Sequence, residues 1–202
     1  MICVLNYGSG NVGSVYNVLN FLGYDVKISN NKDDIKNSSH LILPGVGAFK
    51  SSMQKIFNTI PIDILESEVL DKGKPFLGIC VGMQVLAHAG DEGGECDGLG
   101  WISGRIKKIN TDGLPLPHIG WNNIEIIQES ELFKGFKGIN DFYFVHSYGF
   151  YSDTEKNIMA KANYGNEINA VIKKNNIFGV QFHPEKSQRA GQLILKNFLN
   201  IS

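Results

Sequence analysis

Two short stretches carry residue types suited to covalent chemistry. The first is PFLGICVGMQ, residues 75–84, in which Cys80 stands between Gly78 and Gly82. This G-x-C-x-G pattern falls between an apolar run and a helix-forming run. It has the arrangement of a nucleophile elbow, with sulfur in place of a serine oxygen. A nucleophile on so tight a strand-to-helix turn is held in a strained backbone conformation. Side chains two residues to either side are expected to collide with it, which favours glycine there. The thiol then projects from the carboxyl end of the sheet, where ligands bind in open α/β folds. A free cysteine has a pKa of about 8.5, so little of it is thiolate at neutral pH. Placement at the start of a helix over 81–89 favours the anion. The amide of Val81, next in the chain, is suited to stabilising an oxyanion.

The second stretch is GVQFHPEKS, residues 179–187. His183 follows an apolar run over 178–182. In a parallel sheet the carboxyl end of that strand lies on the same edge as Cys80. Pro184 stiffens the turn, so Glu185 is placed to accept a hydrogen bond from one ring nitrogen and leave the other facing sulfur. That is the logic of nucleophile, base and orienter. Taken singly, each stretch has a plainer reading: a structural cysteine at a strand end, and a surface histidine beside a solvated glutamate. A metal site from Cys80, His183 and Glu185 lacks any recognised zinc spacing, so no metal and no cofactor is expected. Of the other histidines, His40 precedes a strand and His88 lies late in a helix. His118 and His146 sit in aromatic and glycine-rich contexts suited to a pocket wall or an interface.

The elements that must position these residues alternate in the first half. Strands are expected at 2–5, 24–28, 40–43 and 75–79, the third stopped by Pro44-Gly45. Helices are expected at 11–22, 33–37, 49–70 with a break at Pro61, and 81 to about 89. The helix at 11–22 carries Val12, Val15, Val18, Leu19 and Leu22 at helical spacing, and Gly23 ends it. Such alternation argues for a parallel sheet with helices on both faces. The second half changes character, with short β-like runs at 105–109, 123–126, 142–145, 158–162, 170–173 and 178–182. Turn residues separate them, as in Asp112-Gly113 and Tyr164-Gly165-Asn166. Hairpins are expected to extend or flank the parallel sheet. A closing amphipathic helix has Leu193, Ile194, Phe198 and Leu199 inside. The fold class is α/β: a mostly parallel central sheet flanked by helices, with added antiparallel strands in the second half. Neither repeats nor linkers appear, so residues 1–202 are read as one domain.

Composition narrows the function classes. A net charge of −1 leaves no field to attract nucleic acid or an anionic membrane. No apolar run approaches the roughly 20 residues of a membrane span. The start, MICVLNYG, has no basic region or cleavage site and is read as a strand, not a secretory signal. Three cysteines without paired spacing argue against a disulfide framework, and a cytoplasmic location is expected. A second glycine-rich stretch, GSGNVG at 8–13, fits the dinucleotide pattern G-x-G-x-x-G. That reading wants an acidic residue at the end of the second strand for the ribose hydroxyls. The second strand, YDVKIS, ends in Ser29-Asn30, and Asp33 falls beyond it. Gly8 and Gly10 are more simply turn residues.

PGVGAF (44–49), GICVGMQ (78–84), PHIGWN (117–122), YFVHSY (143–148) and GVQFHPEKS (179–187) follow one another in an order that resembles the class I glutamine amidotransferases. More narrowly, the chain resembles the branch that serves imidazole glycerol phosphate synthase in histidine biosynthesis. The motifs run over nearly the whole chain. The resemblance implies that Cys80 attacks the side-chain amide of glutamine, that His183 is base and then acid, and that Glu185 orients it. It implies an oxyanion hole at Val46, Gly47 and Val81, completed when a peptide beside Val46 reorients. Flanking glycines lower the cost of such a flip. Glutamine binding maps to Gly45, Gln84, Ser147 and Tyr148. The implied partner is a (β/α)₈ cyclase barrel that receives the ammonia, docked near Asn11, Trp121, Tyr143 and Lys186. For Trp121 and Tyr143, ordinary aromatic packing is the alternative. Two other readings stay open: the same chemistry feeding a different barrel in surface-sugar synthesis, and a cysteine peptidase or thiol-stress protein of similar architecture.

Overall fold

The computed structural model describes residues 1–8, 10–138 and 140–202. Its first half alternates β1 (Ile2–Leu5), α1 (Val12–Phe21), β2 (Val26–Ser29), α2 (Lys32–Asn37) and β3 (His40–Gly45). Next come α3 (Phe49–Thr59), α4 (Ile62–Glu66) with a π-helical turn at Ser67–Asp71, β4 (Phe76–Cys80) and α5 (Val81–Gln84). The second half is mostly strand: β5 (Ala89–Gly90), β6 (Cys96–Asp97), β7 (Gly104–Lys108), β8 (His118–Ile126), β9 (Asp141–His146) and β10 (Tyr148–Ser152). It ends with β11 (Ile158–Tyr164), β12 (Asn166–Lys174), β13 (Ile177–Val180) and α6 (Gln188–Leu199).

Among the described residues, nine strands form one sheet in the order β2-β1-β3-β4-β13-β12-β11-β8-β9. Pairings from β2 across to β13 are parallel, and those from β13 through β12, β11 and β8 to β9 are antiparallel. The expected α/β architecture is therefore present, with strands of both halves sharing the sheet. Four strands form a second sheet in the order β10-β7-β5-β6. Every residue of β1, β3, β4 and β13 is buried, as parallel strands covered on both faces must be. Strand β8 instead alternates, leaving Ile119 and Trp121 exposed between buried His118 and Ile124.

Several elements depart from the sequence reading. Strand β3 does not stop at Leu43 but runs through Pro44 to Gly45. Its neighbour β1 pairs only with His40, Leu41 and Ile42, so the N–H that Pro44 lacks has no strand on that side to serve. The helix expected from 81 to 89 is a single turn, Val81–Gln84. The carbonyls that would continue it are taken from outside: Leu99 N donates to Val85 O at 2.8 Å, Ile102 N to Leu86 O at 3.0 Å, and Gly98 N to His88 O at 2.8 Å. A one-turn helix carries little macrodipole, so any help to the thiolate comes from individual first-turn amides. Strands β5, β6 and β10, and the first five residues of β8, have no counterpart in the sequence reading. In α6 the inner face uses Leu195 with Ile194 and Phe198, while Leu193 is only half-buried.

Candidate active site

Cys80 ends β4 and opens α5 with φ 55° and ψ −110°. Non-glycine residues avoid this region at a cost of about 1–3 kcal/mol. The flanking glycines make the turn possible, for a reason other than the expected clash with sulfur. A Cβ on Gly78 would lie 2.2 Å from Gly82 O, and one on Gly82 would lie 1.8 Å from Leu43 O in β3. Both obstacles are backbone, which cannot swing aside. Gly82→Ala is therefore expected to cost about 3 kcal/mol and to slow alkylation of Cys80. A thermal melt and iodoacetamide labelling would check both, and a wild-type result in each would contradict this fit.

His183 lies three residues beyond β13, which pairs in parallel with β4. The turn after it is braced from two sides. His183 N donates to Tyr143 O at 2.9 Å, and Ser187 Oγ donates to His183 O at 2.6 Å while accepting from Tyr143 N at 3.0 Å. Helix α6 packs so close that a Cβ on Gly191 would lie 1.8 Å from Pro184 O. The Glu185 carboxylate sits 2.7 Å from His183 Nδ1, and both side chains are fully buried. His183 Nε2 makes no hydrogen bond within ordinary limits among the described residues, yet it shares a cavity with Cys80. Burial alone would pull this imidazole down. The nearby Cys80 sulfur and the Glu185 carboxylate outweigh it and hold the pKa up at about 10.

Asn11 joins this group. It precedes α1 in the left-handed region at φ 84°, and its side chain makes no capping bond to that helix. Its amide instead donates to Glu185 Oε1 and lies 3.3 Å from His183 Nδ1. The loop before it borders Val46, whose Cγ2 would be 3.3 Å from a Cβ on Gly10. Ser9, inside the glycine-rich stretch, is outside the described residues.

The cavity has a volume of about 210 Å³. With Cys80 and His183 it gathers Val46, Gly47, Val81, Gln84, Ser147 and Tyr148 from the sequence expectations. Gly47 has φ 108°, a conformation that side chains resist. Gly45 pairs with Cys80 in the β3–β4 register, and a Cβ there would lie 2.3 Å from Tyr7 Oη. A larger cleft of about 790 Å³, bordered by Gln128, Asp153 and Lys174, has no cysteine or histidine in its lining. Trp121, Tyr143 and Lys186 are not in the cavity. They form a surface cluster: Tyr143 faces Trp121 across β8–β9, with ring centroids 6.1 Å apart, and Lys186 Nζ lies 5.6 Å above the Tyr143 ring. Trp121 is 50% exposed and its neighbour Ile119 58%.

Two residues at the site are not among those singled out from the sequence. Glu92 lines the cavity and accepts from Phe49 N at 2.9 Å, at the start of α3. Burial raises its pKa, against that hydrogen bond. No spacing signal marks it, since its loop folds back from between the short strands β5 and β6. Gln181 stands two residues before His183, and its Nε2 lies 3.7 Å from Cys80 Sγ. Register could have found it: Val180 pairs with Ile79, so the next residues are neighbours. His146, whose sequence context suited it to a pocket wall or an interface, lines the cavity and is hydrogen-bonded to His118, Nε2 to Nδ1, at 3.0 Å. Burial brings both imidazoles down to about 4, so both are neutral near pH 7. His146 Nδ1 donates to Tyr148 O at 2.9 Å, which leaves Nε2 to accept from His118.

The elbow, the buried His–Glu pair and the mixed sheet define a family. The family model "Glutamine amidotransferase class-I" matches residues 3–201, and the chain belongs to that family of enzymes. It is similar to "Imidazole glycerol phosphate synthase subunit HisH 1" of Campylobacter jejuni, 41% identical over 202 residues and covering 100% of both chains. It is similar to the subunit HisH of Caldanaerobacter subterraneus, 45% identical over 98% of this chain and 97% of that one. Among solved structures, PurLQS from Thermotoga maritima superposes with a TM-score of 0.76 at 18% identity, over 98% of this chain and 97% of that one. A glutamine amidotransferase from the same organism gives 0.69 at 14%, over 98% and 95%. These two likenesses concern the fold. No helix among the described residues is long and apolar enough to cross a membrane.

Proposed function

We propose that this chain is the glutaminase subunit of an imidazole glycerol phosphate synthase, working as one domain in the cytoplasm without a cofactor. Cys80 is the nucleophile. Its thiolate adds to the side-chain amide carbon of glutamine, and the carbonyl oxygen becomes an oxyanion. The Val81 amide and an amide beside Val46 or Gly47 receive that charge. His183, protonated at neutral pH, gives its proton to the departing nitrogen, and ammonia leaves as the C–N bond breaks. The resulting thioester is hydrolysed by a water whose proton His183 takes, releasing glutamate and the thiol. Glu185 holds the ring and balances its charge.

The remaining cavity groups suit the rest of the substrate. The Glu92 carboxylate is a counter-charge for the α-ammonium group. Gln84 Oε1 is buried without a hydrogen-bond partner among the described residues and is an acceptor for a substrate N–H. The Ser147-Tyr148 backbone lines the same wall. The client is a (β/α)₈ cyclase barrel, docked on the face that carries Asn11, Trp121, Tyr143 and Lys186. The observation that carries the chemistry is the strained Cys80 on a cavity shared with a buried His183–Glu185 pair. The client rests on full-length similarity to subunits of that synthase.

The test is glutamate release by the purified chain, alone and with the barrel subunit loaded with its phosphoribosyl ligand. A low rate alone and a rise of roughly 10²–10³ with the loaded partner is expected, the size of one oxyanion-hole donor. A rate indifferent to that partner would overturn the assignment of client.

A further inference from the structure

Two buried glutamines stand between the substrate wall and the nucleophile. Gln181 is fully buried and Gln84 nearly so. Gln84 Nε2 lies 2.8 Å from Tyr148 O and 3.1 Å from Gln181 Oε1. Gln181 Nε2 lies 3.7 Å from Cys80 Sγ. Amide orientation is usually ambiguous, but a chain of partners settles it here. Tyr148 O is a carbonyl and only accepts, so the Gln84 atom facing it is the NH₂ group. That same group then meets an oxygen on Gln181, which turns the Gln181 NH₂ toward sulfur. The His146 Nδ1–H shares Tyr148 O and fixes the starting point of the chain.

Besides His183, two neighbours of the sulfur favour different states. Val145 O, 3.9 Å from Sγ, accepts a hydrogen bond only from the protonated thiol. The Gln181 N–H bond is strongest toward the anion, because a hydrogen bond to the charged form stabilises it.

We propose that Gln181 is a catalytic residue whose side-chain amide donates to the Cys80 sulfur and stabilises its thiolate, with Gln84 as the positioning residue that fixes the amide's orientation. This rests on Cys80 being the nucleophile. It adds to Gln84 a role besides substrate contact: Gln84 sets the direction of the Gln181 donor. The proton released from sulfur goes to His183, so the step needs no other reactant.

The experiment follows iodoacetamide alkylation of Cys80 against pH, by mass spectrometry, on the full-length chain without glutamine or partner. Gln181→Met keeps the side chain's length and removes the donor. The midpoint of its alkylation curve is expected about one pH unit higher than wild type. The kcat for glutamine is expected to fall roughly 10-fold, with KM within about two-fold, because the donor acts on sulfur and not on bound substrate. A folded Gln181→Met protein with the wild-type curve and kcat overturns the proposal. If that variant does not fold, Gln84→Met frees the Gln181 amide to turn and is expected to shift the midpoint in the same direction by a smaller amount. An unchanged midpoint there overturns it equally. The nucleophile assignment fails separately: wild-type label would then land on Cys3 or Cys96 in preference to Cys80.

Discussion

Cys80→Ala is expected to abolish glutamine-dependent turnover and leave ammonia-dependent synthesis by the proposed partner barrel intact. Loss of a covalent nucleophile from a preorganised site removes roughly 10⁴–10⁶ in kcat. Nothing in the cavity replaces it, since the other lining residues include no second thiol. The split between the two activities is the informative part. The mutation deletes one sulfur from a 4% exposed position and puts a smaller side chain on the same backbone. Ammonia supplied from solution bypasses this chain's chemistry, so synthesis continues if docking is preserved. Loss of both activities would mean that Cys80 matters to fold or docking, not to bond making. A glutamine-mimicking electrophile gives an independent check, because the three thiols differ. Cys3 is fully buried, and burial, reinforced by Asp34, pushes its pKa up to about 11. Cys96 is half-buried and lies outside the cavity. Only Cys80 combines a strained elbow with a neighbouring protonated imidazole, so the label is expected there. Labelling of Cys96 in its place would sink the elbow assignment.

Much of this site can be read from the chain because its strongest constraints are local. Glycines at 78 and 82 report a turn that tolerates no side chain, and the strand before Cys80 is a run of buried residues. His183, Pro184 and Glu185 are three consecutive residues, so their mutual placement needs no knowledge of the rest of the fold. The obstacle at Gly82 is less local than a clash with sulfur, since it is a carbonyl of β3, from a segment nearly forty residues earlier. Long-range facts are lost to the sequence in the same way. The end of α5 is set by residues 98–102, which take the carbonyls of Val85 to His88 that would continue it. Asn11 meets Glu185 across 174 positions, and Gln84 meets Gln181 across 97. Glu92 comes to the cavity on a loop whose course depends on the second sheet. Periodicity cannot report contacts of this kind. Strand pairing can, once β4 and β13 are known to lie side by side: Gln181 then falls beside the elbow without further information.

Glu185→Gln is expected to lower kcat/KM for glutamine by roughly 10²–10³ and to move the alkaline limb of its pH profile to lower pH. In a comparable triad, changing the orienting carboxylate to an amide costs about 10⁴ when it traps the wrong imidazole tautomer. Here a guard against that outcome exists. Asn11 donates to the same Oε1 that accepts from His183, so an amide at 185 keeps its oxygen toward both donors. The rate loss then reflects the missing charge, with a smaller share from misorientation. The sign of the pH effect follows from the forces on His183. Burial favours the neutral ring, and the sulfur and the carboxylate together reverse it to a pKa of about 10. Removing the carboxylate takes away one of the two opposing forces, so the pKa must fall toward the ordinary imidazole value of about 6.5. The protonated ring needed to release ammonia is then lost at lower pH. Profiles of kcat/KM for wild type and Glu185→Gln, measured with the partner present, would separate this from a structural defect. Misfolding lowers the whole curve and leaves its limb in place, whereas loss of the charge moves the limb. An unmoved limb in a folded variant would mean that Glu185 is a structural residue and that the Cys80 sulfur alone sets the proton affinity of His183.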